Sequence, residues 1–202
     1  MKESLDLPII LSEAAPEQKG VFAKSDLAHL FGQLNTSTLN KQISRLIKKG
    51  YLFRGKRGFF YTKIAQLEDL ASKIYPNGYL SLETALAYHQ MIGNKPHWRC
   101  HILTTQPKGK KMNTNMGHIS MSCQKLEYQF GYDHDDGRNV AHPEKAFIDT
   151  CNFYLRGYKY SFNLSCDVDV RSLSINKTEN YLKTYKNPKL KAFVWSTLEA
   201  NG

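Results

Sequence analysis

Two apolar sets open the chain: Leu27, Leu30 and Phe31, then Leu39, Ile43, Leu46 and Ile47. Both recur at three- and four-residue steps, the spacing of one side of an α-helix. The first set predicts a short helix capped by Ser25, whose hydroxyl can accept from an unpaired first-turn amide. Asp26 suits its positive end, and Gly32 is a natural stop. After the polar turn Gln33-Leu-Asn-Thr, the second set predicts a longer helix over Ser37–Lys49, ended by Gly50. Upstream, through Ser12, Leu5, Ile9 and Ile10 follow a looser helical spacing. Downstream, Tyr51-Leu-Phe and Phe59-Phe-Tyr are strand-like and flank Arg54-Gly-Lys-Arg-Gly, which reads as a tight hairpin. Helix, short helix, turn, longer helix and hairpin is the order of a winged helix-turn-helix.

A connecting helix over Ile64–Lys73 leads to Tyr75-Pro-Asn-Gly-Tyr, read as a boundary between a DNA-binding domain, 1–75, and a second domain, 76–202. The second opens with a predicted helix, Tyr79–Ile92, with Ser81 as its cap, Leu82, Ala85, Leu86 and Met91 as its apolar positions, and Gly93 beyond its end. The pattern then changes to short strands at Cys100–Thr104, His118–Ser122 and Lys125–Phe130, separated by a basic loop, Pro107–Gly117. Pro143–Leu155 is predicted helical, with Pro143 in the first turn, where its missing amide costs nothing. Ala146, Phe147 and Ile148 are expected in the core, with Glu144 and Lys145 outside. Phe162–Val170 reads as strand-like and Tyr181–Glu199 as a terminal helix. The expected fold class is α+β: a winged helix-turn-helix followed by a mixed α/β domain.

Charge sharpens this picture. The formal net charge is +10 and the isoelectric point near 9.4, a balance that attracts polyanions. It is not spread evenly. Lys41, Arg45, Lys48, Lys49, Arg54, Lys56, Arg57 and Lys63 stand between residues 41 and 63 with no carboxylate among them. Solvated faces ordinarily mix both signs. On the third helix Ser37, Thr38, Lys41, Gln42, Ser44, Arg45 and Lys48 fall opposite the apolar face. Reading DNA requires such a surface, with small polar and amide groups for base edges and cations for phosphates. The expected DNA-binding residues are therefore Ser37, Thr38, Lys41, Gln42, Arg45, Lys48, Arg54, Lys56, Arg57 and Lys63.

The sequence argues against catalysis. The one D/E-x-K triplet, Glu17-Gln-Lys19, lies in the presumed DNA-binding domain; there is no Gly-Ser dipeptide, no P-loop and no G-x-S-x-G. Asp133-His-Asp-Asp-Gly, aligned as a calcium loop, would need ligands at Tyr132 and His134 and a glutamate at Pro143, so it reads as a surface turn. His97 and His101 are four apart, but on a strand that separates them too far to share a metal. A zinc site drawing on Cys100, His118, His134 or His142 would have to be assembled in three dimensions. No cofactor or metal is expected. His89 reads as a boundary histidine bonded to backbone. Cys100, Cys123, Cys151 and Cys166 form no C-x-x-C pair and read as reduced core thiols. With no targeting signal and no membrane-length apolar run, the expected location is cytoplasmic, away from membrane.

Tyr79-Leu-Ser-Leu-Glu-Thr-Ala-Leu-Ala-Tyr-His89, the strand ending Leu103-Thr-Thr with its basic loop, and Val140-Ala-His-Pro-Glu-Lys-Ala-Phe-Ile-Asp149 follow the presumed wing in order. In that order, over about Gly20 to Leu155, the chain resembles the AbiEi family of antitoxins and transcriptional regulators of type IV, abortive-infection toxin–antitoxin systems. It departs at Gln90, where the family often ends its helix with Gly, and in the short region after Leu155. The resemblance implies an N-terminal winged helix that represses its own promoter. It also implies a C-terminal domain that counteracts a nucleotidyltransferase toxin encoded beside it, without necessarily forming a stable complex. Two alternatives stay open: a stand-alone winged-helix transcription regulator with a sensing domain, and a DNA-directed nuclease. A carboxylate cluster drawn from Glu83, Glu127, Asp133, Asp149 or Asp169 would favour the nuclease.

Overall fold

The computed structural model describes residues 7–32, 34–93, 98–107 and 109–201; Leu5, Gln33 and His97 lie outside them. The fold is mixed α+β, with helices and two sheets. The N-terminal part runs α1 (Leu7–Ala14), β1 (Val21–Ala23), α2 (Lys24–Leu30), α3 (Thr36–Lys48), β2 (Phe53–Arg54) and β3 (Phe59–Tyr61). Its antiparallel sheet has the order β1-β3-β2. Leu7, Leu11, Phe22, Leu27, Phe31, Leu39, Ile43, Leu46, Leu52 and Phe60 form its core.

Several local expectations need correcting here. In α1 the buried residues are Leu7 and Leu11, while Ile9 is exposed. α2 starts before Ser25: Ala23 holds the cap position, and its amide donates to the Asp26 carboxylate at 2.9 Å. β1 had no sequence signal, because three residues cannot display a two-residue period; pairing with β3 makes it a strand.

After β3 come α4 (Leu67–Ile74), β4 (Tyr79–Leu80), α5 (Glu83–Tyr88), β5 (Arg99–Thr104), β6 (Lys110–Thr114), β7 (Gly117–Cys123), a 3-10 turn (Leu126–Tyr128), β8 (Tyr132–Asp135), β9 (Arg138–Ala141), α6 (Pro143–Leu155), α7 (Ile175–Thr184) and α8 (Pro188–Asn201). The six-stranded sheet has the order β6-β7-β5-β4-β9-β8, with β4–β9 and β5–β7 parallel. The expected Tyr79–Ile92 helix is thus a central strand followed by a short helix. Leu82, buried with a φ of 55°, turns the chain between them. Ser81 caps nothing and instead bonds Asp149. The expected basic loop contains the edge strand β6, Lys125–Phe130 is a 3-10 turn rather than a strand, and the terminal helix is two helices. Phe162–Val170 forms no strand; Val168 makes a single bridge to Ile92. Asp133–Gly137 is more than a turn. It spans the β8–β9 hairpin, whose tip residues Asp136 and Gly137 both have positive φ, as a tight hairpin requires.

The larger core contains Tyr79, Leu80, Ile102, Phe147 and Val194 among many others. Leu67, Leu70, Ala71 and Ile74 of α4, placed with the first domain by sequence, also belong to it, as do Val21 and Tyr61. The largest departure lies on α6. Glu144 and Lys145 are buried, not outside, because α6 is packed against α5, α7, α8 and β9 at once. Lys145 and Asp149, one turn apart and both fully buried, form an ion pair. Asp149 also accepts from Tyr79 Oη at 2.8 Å, Ser81 Oγ at 2.9 Å and Tyr185 Oη at 3.0 Å. Lys145 donates to Tyr79 Oη and lies over the Tyr79, Phe130 and Tyr185 rings. Burial draws the Lys145 ammonium below the ordinary lysine range against the opposing pull of Asp149.

Candidate nucleic-acid interface

α3 is held by its two ends and its buried side. Asn35 caps the start, accepting from the Thr38 amide at 2.9 Å, and Gly50, with a φ of 76°, takes the left-handed position past the end. Leu39, Ile43 and Leu46 face the smaller core. Their opposites, Ser37, Lys41, Ser44, Arg45 and Lys48, are all exposed. Thr38 and Gln42 are half-buried on the flank of that face.

The β2–β3 hairpin is fixed against this helix. Phe53 pairs with Tyr61 and Arg54 with Phe60, and the turn closes through the Phe59 amide donating to Lys56 at 2.8 Å. Gly58 has a φ of 85°, and its carbonyl accepts from the Lys24 amide at 2.8 Å, tying the turn to the start of α2. Arg54 and Arg57 consequently share one groove with Lys24, Asn40 and Ser44. A neighbouring depression is lined by Ser37, Asn40, Lys41, Ser44 and Arg45. Gln42 lies on the other flank, with Arg45, Lys49 and the start of α1.

The ten expected residues do not all converge. Ser37, Lys41, Arg45, Lys48, Arg54 and Arg57 lie on the outward side of α3 or in the groove beside it. Lys56 is half-buried, with its ammonium 4.8 Å from the centre of the Tyr75 ring. Lys63 follows β3 at the end away from the turn. Asn40, not among the expected residues, is exposed and lines both depressions; its place between buried Leu39 and Ile43 gives it no sequence signal. Among the described residues no carboxylate pairs with Lys41, Arg45, Lys48, Arg54 or Arg57.

The carboxylates that could have built a nuclease site have other partners. Glu83 meets His101 at 3.1 Å and Arg99 at 3.6 Å. Burial pushes its carboxyl upward, but the hydrogen bond and charge of His101, with help from Arg99, hold it below the ordinary glutamate range. Asp149 is enclosed with Lys145, Asp133 meets His142, Asp169 meets Arg171, and Glu127 meets Lys125. His89 touches the Ala141 carbonyl at 2.7 Å, as a boundary histidine would. His118 and His134 bond Asn113 and Asn139. Cys100 and Cys151 are buried; Cys166 is exposed and Cys123 partly so, correcting their reading as core thiols. Among the described residues no group of three or more His, Cys, Asp or Glu could hold a metal ion, and no helix is long and apolar enough to cross a membrane.

The chain matches no family model, and no curated protein matches it significantly. Among solved structures it is similar to a crystal structure of the RV2827C protein from Mycobacterium tuberculosis. That likeness has a TM-score of 0.66 at 15% identity, covering 96% of this chain and 76% of the other. At that identity it shows a shared fold alone.

Proposed function

We propose that the N-terminal unit is a winged helix-turn-helix that binds double-stranded DNA, with α3 in the major groove and the β2–β3 turn against the backbone. One observation carries this reading: the outward face of α3 adjoins Arg54 and Arg57 across a groove that contains hydrogen-bonding groups and cations but no carboxylate. The unpaired cations suit phosphates, and Ser37, Asn40 and Ser44 sit where short side chains of a recognition helix meet base edges. An Asn amide can bond the adenine edge at two points, and an Arg guanidinium the guanine edge. Lys41 and Lys48 supply phosphate contacts on the same side.

Repression of its own promoter, and opposition to a nucleotidyltransferase toxin encoded beside it, rest on the resemblance to the AbiEi family. In that assignment the larger unit carries the antitoxin activity and has no catalytic residue. The test combines binding and growth. Purified protein is titrated with the duplex upstream of its own gene and with random duplex of equal length. Asn40→Ala and Arg45→Ala should each reduce the preference for the former by about 1–3 kcal/mol. Equal losses on both duplexes would reassign those side chains to phosphates. Co-expression with the neighbouring gene should relieve its toxicity; no relief, with promoter binding intact, would favour the stand-alone regulator.

A further inference from the structure

A second stretch of the chain is free of carboxylates. Between Glu83 and Glu127 there are five lysines and one arginine but no Asp or Glu, and the fold brings Arg99, Lys110 and Lys111 to the β6 side of the larger sheet. Arg99 on β5, His118 on β7 and Asn113 on β6 form one cross-strand row. Lys111 lies two residues along β6 on the same face, in register with Ser120, whereas its neighbour Lys110 is on the opposite face of this edge strand. Lys110, Lys111, Asn113 and His118 are exposed. Trp98 stands beside this row with 52% of its surface exposed. Its ring meets His118 edge-on at 5.8 Å and lies 4.7 Å from the Arg99 guanidinium.

We infer that this sheet end binds single-stranded nucleic acid, with Trp98 as the platform on which an unpaired base stacks. A large aromatic ring left in water among cations costs hydration free energy and serves no core. The same ring between two phosphate-binding side chains is the arrangement that sequence-tolerant single-strand binders use. Lys111 is about 7 Å along β6 from the row of Arg99, His118 and Asn113, a spacing close to that of successive phosphates in an extended strand. Glu83, behind Arg99, is 4% exposed in its side chain. It therefore orients the guanidinium without presenting a carboxylate to the strand.

The experiment uses the full chain carrying Lys41→Ala, Arg54→Ala and Arg57→Ala, so that the α3 surface contributes little. Labelled oligo-dT and oligo-rU are titrated by anisotropy, alongside a duplex of equal length. The inference requires single strands to bind more tightly than the duplex, and Trp98→Ala to weaken them roughly tenfold. Lys111→Ala should flatten the salt slope by about 0.7. Trp98→Phe, which keeps a ring, should recover most of the binding, separating stacking from damage to the fold. Quenching of tryptophan emission that persists in Trp195→Phe and disappears in Trp98→Phe gives an independent readout. Equal or stronger duplex binding, or single-strand binding indifferent to Trp98, would overturn the inference. Failure of promoter binding by α3 would leave it standing.

Discussion

Lys41 and Lys145 are both helical lysines, each two residues from a buried apolar side chain, and they meet opposite fates. Lys145 is fully enclosed, with Asp149, the Tyr79 hydroxyl and three aromatic rings around its ammonium. Lys41 is exposed and has no ion-pair partner among the described residues. The difference separates two uses of charge. In the larger unit a desolvated cation needs a matched anion, because an unpaired buried charge is prohibitively unstable. On α3 the cations stay hydrated, and the absence of carboxylates leaves their field open to an external anion. One arrangement fixes β4, α6 and the segment after α7 together; the other leaves exposed cations without ion-pair partners among the described residues.

The comparison breaks most severely if the units are divided in the wrong place. α4 belongs to the larger core, so a fragment 76–202 loses Leu67, Leu70, Ala71 and Ile74 from it. Losses of about 2–5 kcal/mol per large buried side chain would together exceed much of a domain's stability, on the order of 5–15 kcal/mol. Fragment 63–202 should unfold cooperatively on heating, whereas 76–202 should show no cooperative transition. Equal transitions for the two would return α4 to the first unit.

A smaller effect is expected within the buried network. Lys145→Met leaves Asp149 buried with its hydroxyl donors but without its cation, and should destabilise the protein by roughly 3–5 kcal/mol in urea titration. Lys41→Met should change stability by less than about 0.5 kcal/mol. Similar losses in the two would erase the distinction between them. Smaller still is an acid-limb effect at Glu83. Its carboxyl sits below its ordinary range when folded, so it adds stability above the unfolded value that is lost as pH falls through the folded one. Thermal melts of the wild type should therefore weaken below about pH 4.5 more steeply than those of Glu83→Gln. Parallel limbs would show that His101 contributes nothing through this pair.

Much of this was legible where periodicity and punctuation agree. Leu39, Ile43 and Leu46 defined the buried side of α3, and Pro143 gave α6 its start. Tyr79-Leu80 was read as helix because a central strand buried on both faces presents a continuous apolar run, which merges with the helix after it. β6 was read as a basic loop because lysines commonly protect a sheet edge from pairing. Lys145 was placed outside because a charged residue is almost never fully buried unless paired. Its partner Asp149 was visible one turn away, but Tyr79 and Tyr185 reach it only through the tertiary fold. Nothing in the local sequence shows that the Lys56 ammonium lies over the Tyr75 ring, and Asn40 follows buried Leu39, where the apolar pattern of α3 masks its exposure.

Salt dependence of duplex binding tests most directly whether the α3 surface is a phosphate-binding surface. With about five cations on phosphates, log K should fall against log salt with a slope of about −4 to −5. Arg54→Ala with Arg57→Ala should flatten it by about 2. Lys56→Ala should leave it nearly unchanged, because that ammonium lies over Tyr75. Binding that ignores salt, or a slope unaltered by loss of Arg54 and Arg57, would contradict the account.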